Sequence, residues 1–346
     1  MTTTIRRPAD ERVRRLGVFQ AALHRPEFGA VLGTVVVWVL FAVWAGGSGF
    51  LTQRGTATYL EIAAQLGIIG APVAMLMIAG EFDLSLGSMV GASGMVMALC
   101  ITQLGWPVWL SVAAAFAFAL GYGAINGILV VRTGLPSFII TLAGYFILRG
   151  FTFALVRFLT GTTVVGGLSA QVEADPFARL FTMDVAGFPV TIGWWLVVAA
   201  LCHWVLIHTG FGNWVFGTGG SGIAARRLGV PTDRVRVVLF MGTAASACLL
   251  AVIQVLSVGS ADVNRGVLKE FEAIITAVIG GTLLSGGYGT VIGTIFGALT
   301  LGITQQGLFF AQVDAEWYRM SLGVILLLAV LLNQYARRRA GAERTT

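Results

Sequence analysis

Glu81 and Asp83 are the residues with the most chemistry to offer. They lie in Ala79-Gly80-Glu81-Phe82-Asp83-Leu84-Ser85-Leu86-Gly87-Ser88, inside a long and otherwise apolar run. A bare carboxylate in hydrocarbon is costly, so acids within membrane segments face a bundle interior, a water-filled path or a partner. Gly80 and Gly87 let the backbone leave helical geometry, which a membrane tolerates only where protein or a cavity covers it. The stretch reads either as a helix break at a functional depth or as a short polar turn between two ordinary spans. No H-E-x-x-H or nucleophile–base arrangement accompanies it. Cys100, Cys202 and Cys248 form no C-x-x-C pair, and His24, His203 and His208 form no ligand set. Neither catalytic nor metal-binding residues are expected. Without a GxxxxGKS/T phosphate loop, the chain itself is not expected to hydrolyse ATP.

Composition says what surrounds these acids. Of 346 residues, 57% are apolar and 11% charged, and the mean hydropathy is +0.86. Soluble domains carry roughly 25% charged residues. The expected fold is an all-α polytopic membrane protein of about ten transmembrane helices, since spans of ~20 residues fill the length. The 46 glycines suit close helix approach in lipid. A basic N-terminal tail covers 1–28, a transmembrane domain 29–335, and a second basic tail 336–346. Spans are expected near 30–46, 60–79, 88–104, 107–131, 136–156, 189–208, 237–258, 271–284, 290–310 and 320–332. Between them lie a long polar loop, 157–188, and a Gly- and Arg-rich loop, 209–236. Most of the 22 Lys and Arg fall in the tails and the 209–236 loop. The positive-inside rule then puts both termini and that loop in the cytoplasm, and 157–188 outside. Nucleic-acid binding is not implied, because topology explains the basic residues.

A second Gly-rich break, Gly280–Gly289, stands beside the short eighth span. Laying Gly80–Leu99 on Gly280–Leu299 without a gap matches Gly80/Gly280, Leu84/Leu284, Ser85/Ser285, Gly87/Gly287, Ala98/Ala298 and Leu99/Leu299. Paired broken helices in two halves point to a path near the midplane between repeats. The sequence thus predicts two related halves with broken helices near the midplane.

Four blocks then resemble one family. Gly80–Ser88 is similar to its G-G-I-D-L-S-V-G-S. Gly134-Leu135-Pro136-Ser137-Phe138-Ile139-Ile140-Thr141-Leu142, followed by Arg149-Gly150, is similar to its V-P-x-F-I-V-T-L and R-G. Ala224-Ala225-Arg226-Arg227-Leu228-Gly229-Val230-Pro231 resembles its A-A-R-x-S-G-I loop. Ile279–Gly289 resembles its G-G-T-S-L-x-G-G-x-G. The chain resembles the permease subunit of bacterial ABC importers of the ribose/xylose/galactose type. Glu81 and Phe82 depart from that pattern, adding a second acid beside Asp83.

The resemblance implies a multi-pass protein of the bacterial inner membrane that imports a monosaccharide or sugar alcohol. It implies a separate ATPase that uses ATP and Mg, a second permease copy forming a homodimer, and a periplasmic or extracellular sugar-binding protein. The chain itself binds no cofactor on this reading. A short cytoplasmic helix, Ile223, Ala224, Ala225, Arg226, Arg227, Leu228 and Gly229, would dock on the ATPase. The path or helix-break set is Glu81, Asp83, Ser85, Asn126, Phe138, Tyr145, Gln305 and Gln306. For Asp83 the first expectation is acceptance of backbone N–H groups at the start of span 3, where the helix dipole favours an anion. Helix-to-helix tying is the first expectation for Asn126, Gln305 and Gln306, and packing for Phe138 and Tyr145. The rival reading is an ion- or proton-coupled carrier with Glu81 and Asp83 as the proton site.

Overall fold

The computed structural model describes residues 27–314 and 316–342. The basic tail residues 1–26 and 343–346 lie outside the described residues. Apolar sequence with short polar joints gives helices α1 (Phe28–Trp44), α2 (Gln53–Ile78), α3 (Leu86–Thr102), α4 (Val108–Thr133) and α5 (Ser137–Thr160). Two short helices follow, α6 (Ser169–Ala174) and α7 (Arg179–Thr182). Then come α8 (Thr191–His208), α9 (Gly210–Arg227), α10 (Thr232–Val258), α11 (Lys269–Ile279), α12 (Val291–Phe310) and α13 (Glu316–Ala342). Thr52 and Thr290 cap α2 and α12 by accepting from the N–H of Gly55 and Gly293. Among the described residues, six helices are long and apolar enough to cross a membrane: α2, α4, α5, α8, α10 and α12. The chain is a polytopic helical membrane protein.

α2 is the central helix. It packs on α8, α10, α11 and α12, and nearly all of it from Ala63 onward is buried. α4, α5 and α8 are peripheral, each exposing a stripe of large apolar side chains, such as Trp109 and Ile125, Phe146 and Phe151, and Leu196 and Trp204. Such exposure is what lipid or partner chains cover.

The fold has two ends. α8 separates them, and its 18 residues span about 27 Å. One end carries residues 157–188, where β1 (Val164–Val165) pairs antiparallel with β4 (Ala261–Asp262), and β2 (Asp184–Val185) with β3 (Phe188–Pro189). The other end carries α9. The expected loop at 209–236 is largely helical: α9 runs to Arg227 and α10 begins at Thr232, with a kink at Ser221 (φ −161°, ψ 92°). The many glycines of 210–222 are poor helix formers in isolation, and packing of the first turns on α8 and α10 overrides that preference. The eighth span is also shorter than expected, ending at Ile279 rather than 284.

Candidate functional site

The break after α2 is built to satisfy a backbone that has left the helix. Gly80 (φ +86°) ends α2, its N–H bonding Met77 O at 2.9 Å while Glu81 N–H bonds Leu76 O at 3.1 Å. Next, α5 supplies hydroxyls: Ser137 Oγ accepts from Phe82 N at 2.9 Å, and Thr141 Oγ1 accepts from Leu84 N at 3.0 Å. Asp83, fully enclosed, accepts from Ser85 N (3.0 Å) and Ser85 Oγ (2.6 Å) on Oδ1, and from Thr243 Oγ1 (2.7 Å) on Oδ2. Asn126 Nδ2 donates to Ser85 Oγ at 2.9 Å. A buried carboxylate is tolerable when donors surround it in this way. Asp83, Ser85 and Asn126 thus come together, and Thr243 of α10 joins them without any local sequence signal.

Glu81 has a different partner. Its Oε1 lies 2.8 Å from Nε of Arg236, five residues into α10. Both carboxylates of the break are therefore engaged, one by a cation and one by hydroxyls and an amide.

A second segment repeats this construction from the opposite end. Residues Gly259-Ser260-Ala261-Asp262-Val263-Asn264-Arg265-Gly266 match Gly80-Glu81-Phe82-Asp83-Leu84-Ser85-Leu86-Gly87 at Gly, Asp and Gly, with an Asn for the Ser. Gly259 (φ +72°) ends α10 as Gly80 ends α2. Asp262 Oδ1 accepts from Asn264 N at 2.9 Å and from its Nδ2 at 3.4 Å, mirroring Asp83 with Ser85. Arg149 Nη2 donates to Asn264 Oδ1 at 2.6 Å, taking the place that Asn126 has at Ser85. Both segments turn inward and meet: a Cβ on Gly87 would overlap Gly266 O, and one on Gly266 would overlap Gly87 O. Only glycine permits that approach. Glu270, 4% exposed at the start of α11, sits over Gly87, and its Oε2 has no partner among the described residues.

This corrects the gapless overlay of 80–99 on 280–299. After Gly280 the next helix starts at Val291, whereas after Gly80 it starts at Leu86. The two do share a helix ending, one residue out of that register: Gly281 (φ +89°) bonds Val278 O, and Thr282 N–H bonds Ala277 O. The G-x-x-D-x-S/N-x-G pattern was the better signal.

Gly280–Gly289 has another task. Gly287 N–H donates to Ile78 O at 2.8 Å, and a Cβ on Gly219 of α9 would overlap Ile78 O and lie 2.7 Å from Gly287 N. Three backbones therefore touch just before the Ser221 kink: the end of α2, the 280–289 turn and α9. Beyond the kink, Ile223 is 75% and Leu228 86% exposed. Ala224, Arg227 and Gly229 are exposed as well, while Ala225 faces inward. Arg226 pairs with Asp233 and donates to Thr232. A cleft of about 630 Å³ lined by Gly222, Ile223, Arg226, Arg227, Thr232 and Arg236 opens beside it.

Phe138 and Tyr145 lie on α5, the helix whose hydroxyls hold the first break. Gln305 and Gln306 do not join the Asp83 cluster. Gln306 lines a separate cavity with Thr52, Arg54, Thr58 and Phe310 at the end that carries 157–188.

Buried carboxylates held at helix breaks inside an apolar bundle suit a membrane transport subunit. Residues 55–330 match the family described as "Branched-chain amino acid transport system / permease component", and the chain belongs to that family. It is 28% identical to the xylose transport system permease protein XylH of Escherichia coli K12, over 90% of this chain and 92% of that protein. It is 29% identical to the ribose import permease protein RbsC of the same strain, over 82% and 87%. To the inner membrane ABC transporter permease protein YjfF it is 30% identical, over 83% and 85%. No solved structure matches the chain.

Proposed function

We propose that this permease imports a monosaccharide or sugar alcohol in an ATP-driven importer of the bacterial inner membrane. The observation that carries the reading is the likeness to the xylose and ribose permeases, which covers 82% or more of each chain. A separate ATPase using ATP and Mg docks on Ile223, Ala224, Arg227 and Leu228, and the exposed apolar side chains of Ile223 and Leu228 beyond the kink suit a protein groove. A soluble binding protein delivers solute to the 157–188 end. Two copies meet through the peripheral helices, and the path runs past Asp83, Ser85, Asn126, Phe138 and Tyr145. The positive-inside rule puts α9 and both termini in the cytoplasm.

On this reading α1, α3, the half-helix α11 and α13 complete the six long helices to ten membrane-inserted segments. The two inward-turning segments are the matching parts of two oppositely oriented halves. Engagement of Glu81 by Arg236 and of Asp83 by three donors leaves neither acid of the first break free for proton coupling.

Reconstitution with a partner ATPase and sugar-binding protein tests this. Labelled pentoses, hexoses and polyols should enter vesicles only with ATP on the ATPase side, with an uncoupler having no effect. Uptake of leucine in place of sugars would overturn the substrate class. Collapse by the uncoupler with ATP held constant would overturn the energy source.

A further inference from the structure

Arg149 is the thirteenth residue of the 24-residue α5, about 18 Å from either helix end. At that depth a guanidinium is costly unless it faces protein or water. Two sides of α5 are easily explained. Ser137, Thr141, Gly144, Leu148 and Thr152 are buried against α3 and α4, while Phe146, Ile147, Phe151 and Phe158 are exposed and wholly apolar.

Between these sides runs a third stripe of mixed character: Phe138, Tyr145, Arg149 and Phe153. The Arg149 guanidinium stands 5.7 Å from the Tyr145 ring centre and 5.5 Å from that of Phe153. It donates to Tyr145 Oη at 3.2 Å and to Asn264 Oδ1 at 2.6 Å. No carboxylate pairs with it among the described residues. Of its five N–H donors, those beyond these two bonds have no partner among the described residues. The residue is thus held rigidly yet left with donors to spare, and it is only partly covered.

We propose that Arg149 is a solute-contact residue of the translocation path, rather than only a tie to Asn264. This deepens the proposed import of a polyhydroxylated solute and rests on it. A planar fork of donors fits vicinal hydroxyls, and the flanking rings fit the C–H face of a sugar. Asn264 is the positioning residue. Asp262 accepts from its amide nitrogen, which turns Oδ1 toward Arg149. The contact is transient by construction, since one guanidinium and two rings hold a passing solute without enclosing it.

The test uses the full chain in vesicles with its ATPase and binding protein, with Cys100, Cys202 and Cys248 replaced by alanine and uptake confirmed. Single cysteines go in at Phe138 and Phe153 and, as a control at comparable depth on the apolar side, at Ile147. A charged, membrane-impermeant thiol reagent should label the first two at least tenfold faster than Ile147→Cys. Equal rates would overturn the path assignment, and this readout does not depend on which solute is carried.

Separately, Arg149→Gln should lower uptake at least tenfold while ATP hydrolysis stimulated by the loaded binding protein stays within twofold. Asn264→Leu should do the same, and Asn264→Asp, which keeps the acceptor, should restore near-normal uptake. Parallel loss of hydrolysis and uptake in Arg149→Gln would reduce the residue to a structural tie. Failure of the unmodified chain to import any sugar would instead count against the wider functional reading.

Discussion

The two inward-turning segments use one design and differ in what holds them. The first, 79–87, is bracketed on every side: Asp83 is enclosed, α5 hydroxyls take two backbone donors, and Arg236 takes Glu81. Its base touches α9 through Gly219. The second, 259–266, is looser. Asp262 is only half-buried, Asn264 is exposed, and the flank is a two-residue ladder to 164–165 with Leu168 N–H on Gly259 O. One segment is welded to the α9 end, and the other is hinged to the 157–188 end. The welded segment should therefore lose more stability than the hinged one when its acid is removed.

The largest effects on uptake should come from their meeting point. Gly87→Ala and Gly266→Ala each push a methyl into facing backbone, and about 1–3 kcal/mol of overpacking is expected from either. Uptake should fall more than tenfold in both. Near-normal uptake in one of them would show that the two segments do not need to touch. Asp83→Ala comes next. It strands the donors of Ser85 and Thr243, each bond to a buried charge being worth about 1.5–3 kcal/mol. Asp262→Ala should cost a fraction of that, so a thermal-melt comparison in detergent should rank the pair. A larger loss at Asp262 would reverse the welded and hinged assignment.

Changes at the exposed part of α9 should act through one segment only. Ile223→Asp with Leu228→Glu should abolish ATPase pull-down while leaving folding and binding-protein capture intact. Loss of capture as well would mean that the two ends are not separable. The smallest expected effect is at Glu81. Glu81 is buried but Arg236 reaches solvent, so Glu81→Gln, which leaves a solvated guanidinium, should lower stability by about 1 kcal/mol, and Arg236→Gln, which leaves a buried carboxylate unpaired, by more. The double change should cost no more than either alone, and additive losses would show that the two side chains act independently.

Much of this was legible in the chain itself. An acid between glycines in an apolar run marks a break, and Asp83 does accept the backbone donor that such a break must satisfy. Block order alone indicated the exposed helix at 223–228. What escaped was whatever needs two distant residues at once. Nothing near Glu81 announces Arg236, and nothing near Asp83 announces Thr243. The second segment escaped for another reason. Gly280–Gly289 has so many glycines that it drew the alignment, while the more informative Asp262 and Asn264 sat in an apparently ordinary polar loop. Ala225, expected on the docking face, turned inward because one side of even a short helix packs on its own chain.

α5 touches both segments, and the interval between its contacts is fixed. From Thr141, which holds Leu84, to Arg149, which holds Asn264, the helix rises about 12 Å. It serves as a ruler laid across two doors of an airlock. While both bonds persist, the doors can shift together but cannot change their spacing. Opening one relative to the other therefore requires that a bond at one end of the ruler let go first, and the bond on the exposed, hinged side is the one that water can replace.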